Sequence, residues 1–290
     1  MGRSVGQRFA VRDLLRRIAV QGVAGVVAGI LVAGIGGRIL MRASAAAAAG
    51  ARGRRQQSWW LNRNGFILRA AVYFLIWMVP MWVLNRLSLR QDEATDNRTF
   101  RRMQAIAAPA LGFYCLAATF ASVDWLMSLD PHWYSSLWGV NFIGGHAVSA
   151  FAFIIPVALY LARRKPMDDQ FQPGHFHDYG KLLLAFVMLW TYFQLSQLII
   201  IWSGNLPEEI TWYMDRSSQG WQLLSLALIL GHFALPFLLL LSAELKKKPQ
   251  LLALVALWVL AMRWLDFFWS TMSSRVSSCW RFCAAWAFEP

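Results

Sequence analysis

The sequence contains little charge and few cysteines, and each shortage excludes classes of protein. Asp, Glu, Lys and Arg make up 15 % of its 290 residues, where a soluble domain has about 25 %. Three cysteines are too few for a disulfide-stapled secreted module, and their spacing fits neither zinc nor an iron–sulfur cluster. No Cys-x-x-Cys-His motif or glycine-rich phosphate loop occurs. We therefore predict no covalent haem, no metal site and no catalytic residue.

The chain is rich in apolar residues and in positive charge. Hydrophobic residues make up 58 % of it, against about 45–50 % in a soluble domain. One core cannot hide that much apolar surface, which argues against a soluble enzyme and predicts a polytopic membrane protein. The net charge of +13 comes mostly from short basic clusters between long apolar runs. This pattern is typical of membrane loops, so we predict no nucleic-acid partner.

Seven apolar runs are long enough to cross the hydrocarbon core, which takes about 20 residues of helix. The runs are too long for strands and do not alternate. The sequence therefore predicts an all-α, polytopic transmembrane helical bundle. The predicted spans are 18–41, 66–84, 105–127, 137–162, 181–203, 220–242 and 251–269.

Basic residues in the loops predict the orientation of the bundle. The connections after the second, fourth and sixth spans carry clusters of Arg or Lys, whereas segments 128–136 and 204–219 share a single Arg. We expect these two segments to face outward. The first span breaks the rule because arginines flank it on both sides. It is a poorly oriented span, an interfacial or re-entrant helix, or a signal segment.

Ionisable side chains inside a span are costly and therefore mark candidate functional sites. Arg263 and Asp266 are three residues apart and share a helical face, so we expect a structural ion pair. Asp124 lies at the outer end of its span. It is either an interfacial carboxylate or a proton acceptor near an outward-facing site.

His146 and His232 occupy similar depths in two different spans, about 15–18 Å from the outer ends at a helical rise of 1.5 Å per residue. Three roles fit such a pair. Each histidine could hydrogen-bond a neighbouring helix, the two could serve as quinone contact or proton relay, or they could be axial ligands of a b-type haem.

Three stretches together resemble a known family. They are 120–136, 178–188 and 201–209, and the first contains Asp-Trp-Leu-Met-Ser-Leu-Asp-Pro-His-Trp, a long and unusual motif. From about residue 60 to 269 the chain resembles the ActF-type membrane subunit of alternative complex III. That complex is a quinol:cytochrome c or other electron acceptor oxidoreductase, and the subunit is distantly related to NrfD/PsrC-type proteins.

The resemblance implies a shortened version of the NrfD-like double four-helix bundle in the bacterial plasma membrane. It implies partners in one complex: a multihaem cytochrome c, an iron–sulfur subunit and an NrfD-like membrane subunit. Asp124, Asp130 and His132 match the motif and are expected on a quinone or proton path, with His146 just beyond it. The chain would be a non-catalytic or quinone-interacting subunit, with quinone as the expected cofactor.

The family pattern does not cover the whole chain. We divide it into an Arg-flanked N-terminal segment (1–58), a family-like transmembrane domain (59–269) and an atypical tail (270–290), and expect a truncated, frameshifted or fused form. The leading hypothesis is a membrane subunit of a quinol-oxidising respiratory complex, a scaffold with a quinol contact and a proton route. The alternatives are a b-haem electron-transfer protein and a membrane transporter or structural protein.

Overall fold

The computed structural model describes residues 63–91, 98–129, 133–164, 173–217 and 220–271. These residues form helices and short connections, with no strand among them. Six of the helices are long and apolar enough to cross a membrane, which confirms the predicted all-α, multi-pass fold. The N-terminal segment 1–58, with the first predicted span 18–41, lies outside the described residues. So does the tail beyond its first two residues.

Eight helices follow one another along the described chain, and a short 3₁₀ turn, Met127–Leu129, follows α2. The helices are α1 (Arg63–Gln91), α2 (Arg98–Trp125), α3 (Trp138–Ala162), α4 (Pro173–Gly204), α5 (Pro207–Arg216), α6 (Trp221–Leu241), α7 (Ala243–Lys247) and α8 (Pro249–Thr271). Several begin before the predicted spans, because helices continue past the apolar core into polar residues. In α4 a proline stands at the first position, where its missing N–H costs no hydrogen bond.

The chain divides after Ala117 into two compact units. In the first unit, α1 meets the first part of α2 through the rings of Trp77 and Tyr114, whose centroids are 6.2 Å apart. Leu68 and Trp82 of α1 are among its many exposed apolar side chains. Such a surface would drive a soluble protein to aggregate, but it suits contact with lipid.

The second unit is built mainly from α3, α4, α6 and α8. Its core is mostly aliphatic and includes side chains with no solvent exposure, among them Ile155 of α3, Leu183 of α4, Leu240 of α6 and Leu252 of α8. The outer faces of the same helices are apolar as well, and Trp264 of α8 is 74 % exposed. This pattern, apolar on both faces, is that of a bundle surrounded by lipid.

The segment Leu228–Ala234 of α6 is π-helical. This geometry leaves one backbone carbonyl without a donor in its own helix, and a side chain of α8 supplies the missing hydrogen bond. Pro236 has no N–H, so in the π register the carbonyl of Gly231 has no donor within its own helix. The indole N–H of Trp258, in α8, donates to that carbonyl over 2.8 Å. Because Gly231 has no side chain, Met262 of α8 packs directly against its backbone.

We expect the substitution Trp258→Phe to lower the free energy of unfolding by about 1–3 kcal/mol, because the Gly231 carbonyl would face an apolar environment without a donor. Unfolding of the purified protein by a denaturing detergent measures this loss. Trp264→Phe, in the same helix, removes an exposed indole as a matched control. Equal losses in the two variants would show that the hydrogen bond contributes nothing.

Candidate functional site

Aromatic residues close one end of the second unit, which we call the tryptophan end. The rings of Trp133 and Trp212 stack with centroids 4.8 Å apart, and Trp138 meets Trp133 edge-on at 5.1 Å. These residues come from, or directly follow, the two segments that were expected to face outward. The structure thus brings both segments to the same end of the bundle.

Arg216 at the end of α5 ties this aromatic cluster to α8. Its guanidinium lies 3.7 Å from the ring centroid of Trp212 and donates to the carbonyls of Trp269 and Ser270 over 2.9 and 3.2 Å. These carbonyls belong to the last turn of α8, where no N–H of the helix reaches them. Burial raises the pKa of the neighbouring Tyr213 phenol, an effect that the charge of Arg216 opposes, so Tyr213 stays protonated.

Behind the tryptophan end lies a set of buried and partly buried polar side chains, which we call the polar cluster. Arg263 and Asp266 of α8 form an ion pair, and the amide of Gln194, in α4, donates to Asp266 over 3.4 Å. Asp266 is 1 % exposed. The guanidinium of Arg263 occupies the position where a Cβ on Gly145 would stand. A glycine in α3 is therefore what allows the charged group to pack against that helix.

His146 and His232 complete the polar cluster from α3 and α6. Counted from the first residue of each helix, they lie about 12 and 16 Å deep at 1.5 Å per residue. The Arg263 guanidinium packs against Gly145, the residue directly before His146. The ring of His146 packs against Phe142, with centroids 4.2 Å apart. The hypothesis that the two histidines bind a b-type haem stays a prediction.

His232 is fully buried in the π-helical turn, with its ring centroid 4.1 Å from that of Trp190. Neither of its ring nitrogens has a hydrogen-bond partner within the described part of the chain, and the same holds for the indole nitrogen of Trp190. Buried polar groups without partners are costly and uncommon in native proteins. Since π turns also occur often at functional sites, His232 and Trp190 are the best candidates in the bundle for hydrogen-bonding a ligand.

Of the other predicted site residues, Asp124 lies near the tryptophan end, two residues before Leu126, which packs against the aromatic cluster. Asp124 is buried in the last turn of α2, and its backbone carbonyl accepts a hydrogen bond from the Ser128 hydroxyl over 2.6 Å. It therefore does not lie open to water, as an interfacial carboxylate would. Asp130 and His132 fall outside the described residues.

Two buried residues, Asn141 and Trp190, were missed as candidates, and Gln194 and Gln197 of α4 were interpreted only as interhelical hydrogen-bonding residues. The side-chain oxygens of Asn141 and Gln197 have no hydrogen-bond partner among the described residues, although both side chains are buried. Neutral amides within apolar spans were the available signal. They were not given priority because an amide usually hydrogen-bonds a neighbouring helix.

A scan of protein-family models finds no match to the sequence, and neither does a search of curated proteins. The resemblance to the ActF-type subunit therefore depends on the three sequence stretches alone.

Proposed function

We propose that this multi-pass membrane protein is a subunit of a quinol-oxidising respiratory complex of the bacterial plasma membrane. The observation that carries the proposal is the polar cluster, which joins charged, amide and imidazole groups from four helices inside an apolar bundle. Ionisable groups are expensive in that environment and tend to mark paths for protons or substrates. The three family-like stretches supply the respiratory context.

The unsatisfied atoms of the cluster fit the chemistry of a quinone head group. The imidazole of His232 can donate or accept, and the indole nitrogen of Trp190 can donate. A quinol gives up electrons and protons on oxidation, so its site needs hydrogen-bonding groups and a route for protons. His232 and Trp190 would hold the head group, and the more polar groups at Arg263, Asp266 and Gln194 would form the proton route toward the tryptophan end.

The same proposal gives the chain partners in its complex: a multihaem cytochrome c, an iron–sulfur subunit and an NrfD-like membrane subunit. This chain would serve them as a helical scaffold. It would not itself carry out electron transfer between metal centres.

We expect an affinity-tagged chain, purified from native membranes in mild detergent, to bring down a multihaem cytochrome and an iron–sulfur subunit. We also expect membranes from a strain lacking the gene to lose quinol:acceptor activity and the corresponding large complex in native gels. Mass spectrometry and haem staining identify the partners. Purification as a lone species, together with unchanged quinol oxidation in the deletion strain, would contradict the proposal and favour a transporter or structural protein.

A further inference from the structure

A cavity of about 20 Å³ lies among α3, α4 and α8. Trp138 and Ser270, at the ends of their helices, form part of its wall at the tryptophan end. Gln194 and Arg263 form part of its wall farther into the bundle. The cavity thus lies between the tryptophan end and the polar cluster.

The wall of this cavity is partly polar. Asn141 of this wall is 5 % exposed, and its side-chain oxygen, Oδ1, has no hydrogen-bond partner among the described residues. Arg263 has five N–H groups, and its ion pair with Asp266 does not use all of them. The cavity therefore contains an open acceptor and an available donor.

Size and polarity together identify the ligand that fits. A water molecule needs a cavity of about 10–15 Å³ and two or more polar partners, whereas purely apolar cavities of proteins stay dry. This cavity meets both requirements for water and is far too small for a quinone ring. A water molecule would also give the buried side-chain oxygen of Asn141 the partner that the described residues do not supply.

We propose that the cavity is a water-filled inlet, which holds water between the side-chain oxygen Oδ1 of Asn141 and the Arg263 guanidinium. The inlet gives the ion pair of Arg263 and Asp266 access to the aqueous phase at the tryptophan end. Water at this position also lowers the cost of keeping a charged pair inside an apolar bundle. The use of the inlet as a proton route rests on the proposed respiratory function. The inlet itself does not.

Accessibility to a small aqueous ion tests this proposal. Single cysteines are introduced after Cys115, Cys279 and Cys283 have each been replaced by alanine. The test variants are Asn141→Cys and Gln194→Cys, and their matched controls at nearly the same depth are Val140→Cys and Leu195→Cys, two positions with exposed apolar side chains. Proteoliposomes are treated with Ag⁺, a small ion that binds thiolates. Thiols left unprotected are then counted by alkylation in a denaturing detergent.

We expect Ag⁺ to protect each test cysteine at least about tenfold faster than its control, because the reactive thiolate forms in water and is suppressed in an apolar environment. Adding Asn141→Leu to the Gln194→Cys protein should slow its protection to the control rate. Equal rates in both pairs would show a dry packing void and overturn the proposal. If Gln194→Cys does not fold, the Asn141 and Val140 pair decides. The assay needs neither partner subunits nor quinol, so its outcome is independent of the co-purification test.

Discussion

The variant Arg263→Met is expected to lose about 3–5 kcal/mol of unfolding free energy, because removing one partner of a buried ion pair leaves an uncompensated charge. Asp266 is 1 % exposed, and water at the proposed inlet would hydrate its carboxylate but would not supply a counter-ion. The remaining hydrogen bond from Gln194 is long, at 3.4 Å, and does not neutralise the carboxylate. Methionine keeps the unbranched stem, which limits the loss of packing.

Removing both charges should restore most of this stability. In Arg263→Met/Asp266→Leu no buried charge is left unpaired, and replacing a buried pair by apolar residues is often neutral or stabilising. Denaturing-detergent titrations of the wild type, both single variants and the double variant form a complete cycle. A double variant as unstable as Arg263→Met would mean that lost packing, and not the unpaired charge, causes the defect.

The chain offers a control with the same spacing. Lys181 and Asp178 also form an ion pair three residues apart, but their side chains are 56 % and 66 % exposed. Surface pairs contribute little because water competes for both charges. Lys181→Met should therefore leave the unfolding curve unchanged within error, which separates the effect of burial from that of sequence spacing.

Six of the predicted spans and the contact between Arg263 and Asp266 could be read from the sequence, because both depend on local rules. A run of apolar residues long enough to span needs no knowledge of the rest of the fold. Residues three apart on a helix are neighbours whatever the helix packs against. The ends of the helices were less well predicted, because the length of an apolar run does not show how far polar residues continue the helix into the interface.

The packing between helices was not predictable in this way. Nothing local to Gly145 shows that it meets the Arg263 guanidinium, and nothing local to Gly231 shows that Trp258 will satisfy its carbonyl. The π turn also escaped prediction, although Pro236 and Gly231 were visible in the sequence. Its cost is acceptable only because a residue from a different helix supplies the donor.

The polar cluster was predicted in part. His146 and His232 stood out because imidazoles are rare within apolar spans, but sequence spacing could not tell that the Arg263 guanidinium packs beside His146 or that His232 packs against Trp190. Asn141 was missed because its importance comes from the cavity that it lines, and a cavity is a property of the packed helices. Asp130 and His132 stay predictions, since they lie outside the described residues.

The second large effect follows from the proposed function and is expected from His232→Leu. If His232 holds the quinol head group and takes up its proton, quinol oxidation by the assembled complex should fall by about a hundredfold, the low end for loss of such a group. Stability should stay the same or rise, because the substitution removes two ring nitrogens that have no hydrogen-bond partner within the described residues and replaces them by an apolar side chain. Steady-state quinol oxidation and detergent unfolding of the same preparation measure both properties.

Opposite changes in activity and stability would distinguish a functional histidine from one that merely joins helices. A histidine that acts only as an interhelical hydrogen-bond partner should lower stability when replaced and leave the turnover of correctly folded complex unchanged. Phe233→Leu, at the next position of the same π turn, is the matched control. It removes part of a half-buried ring that packs against the core, so it should cost stability and keep activity. If His232→Leu behaves like Phe233→Leu, His232 has a structural role and the proposed quinone contact is wrong.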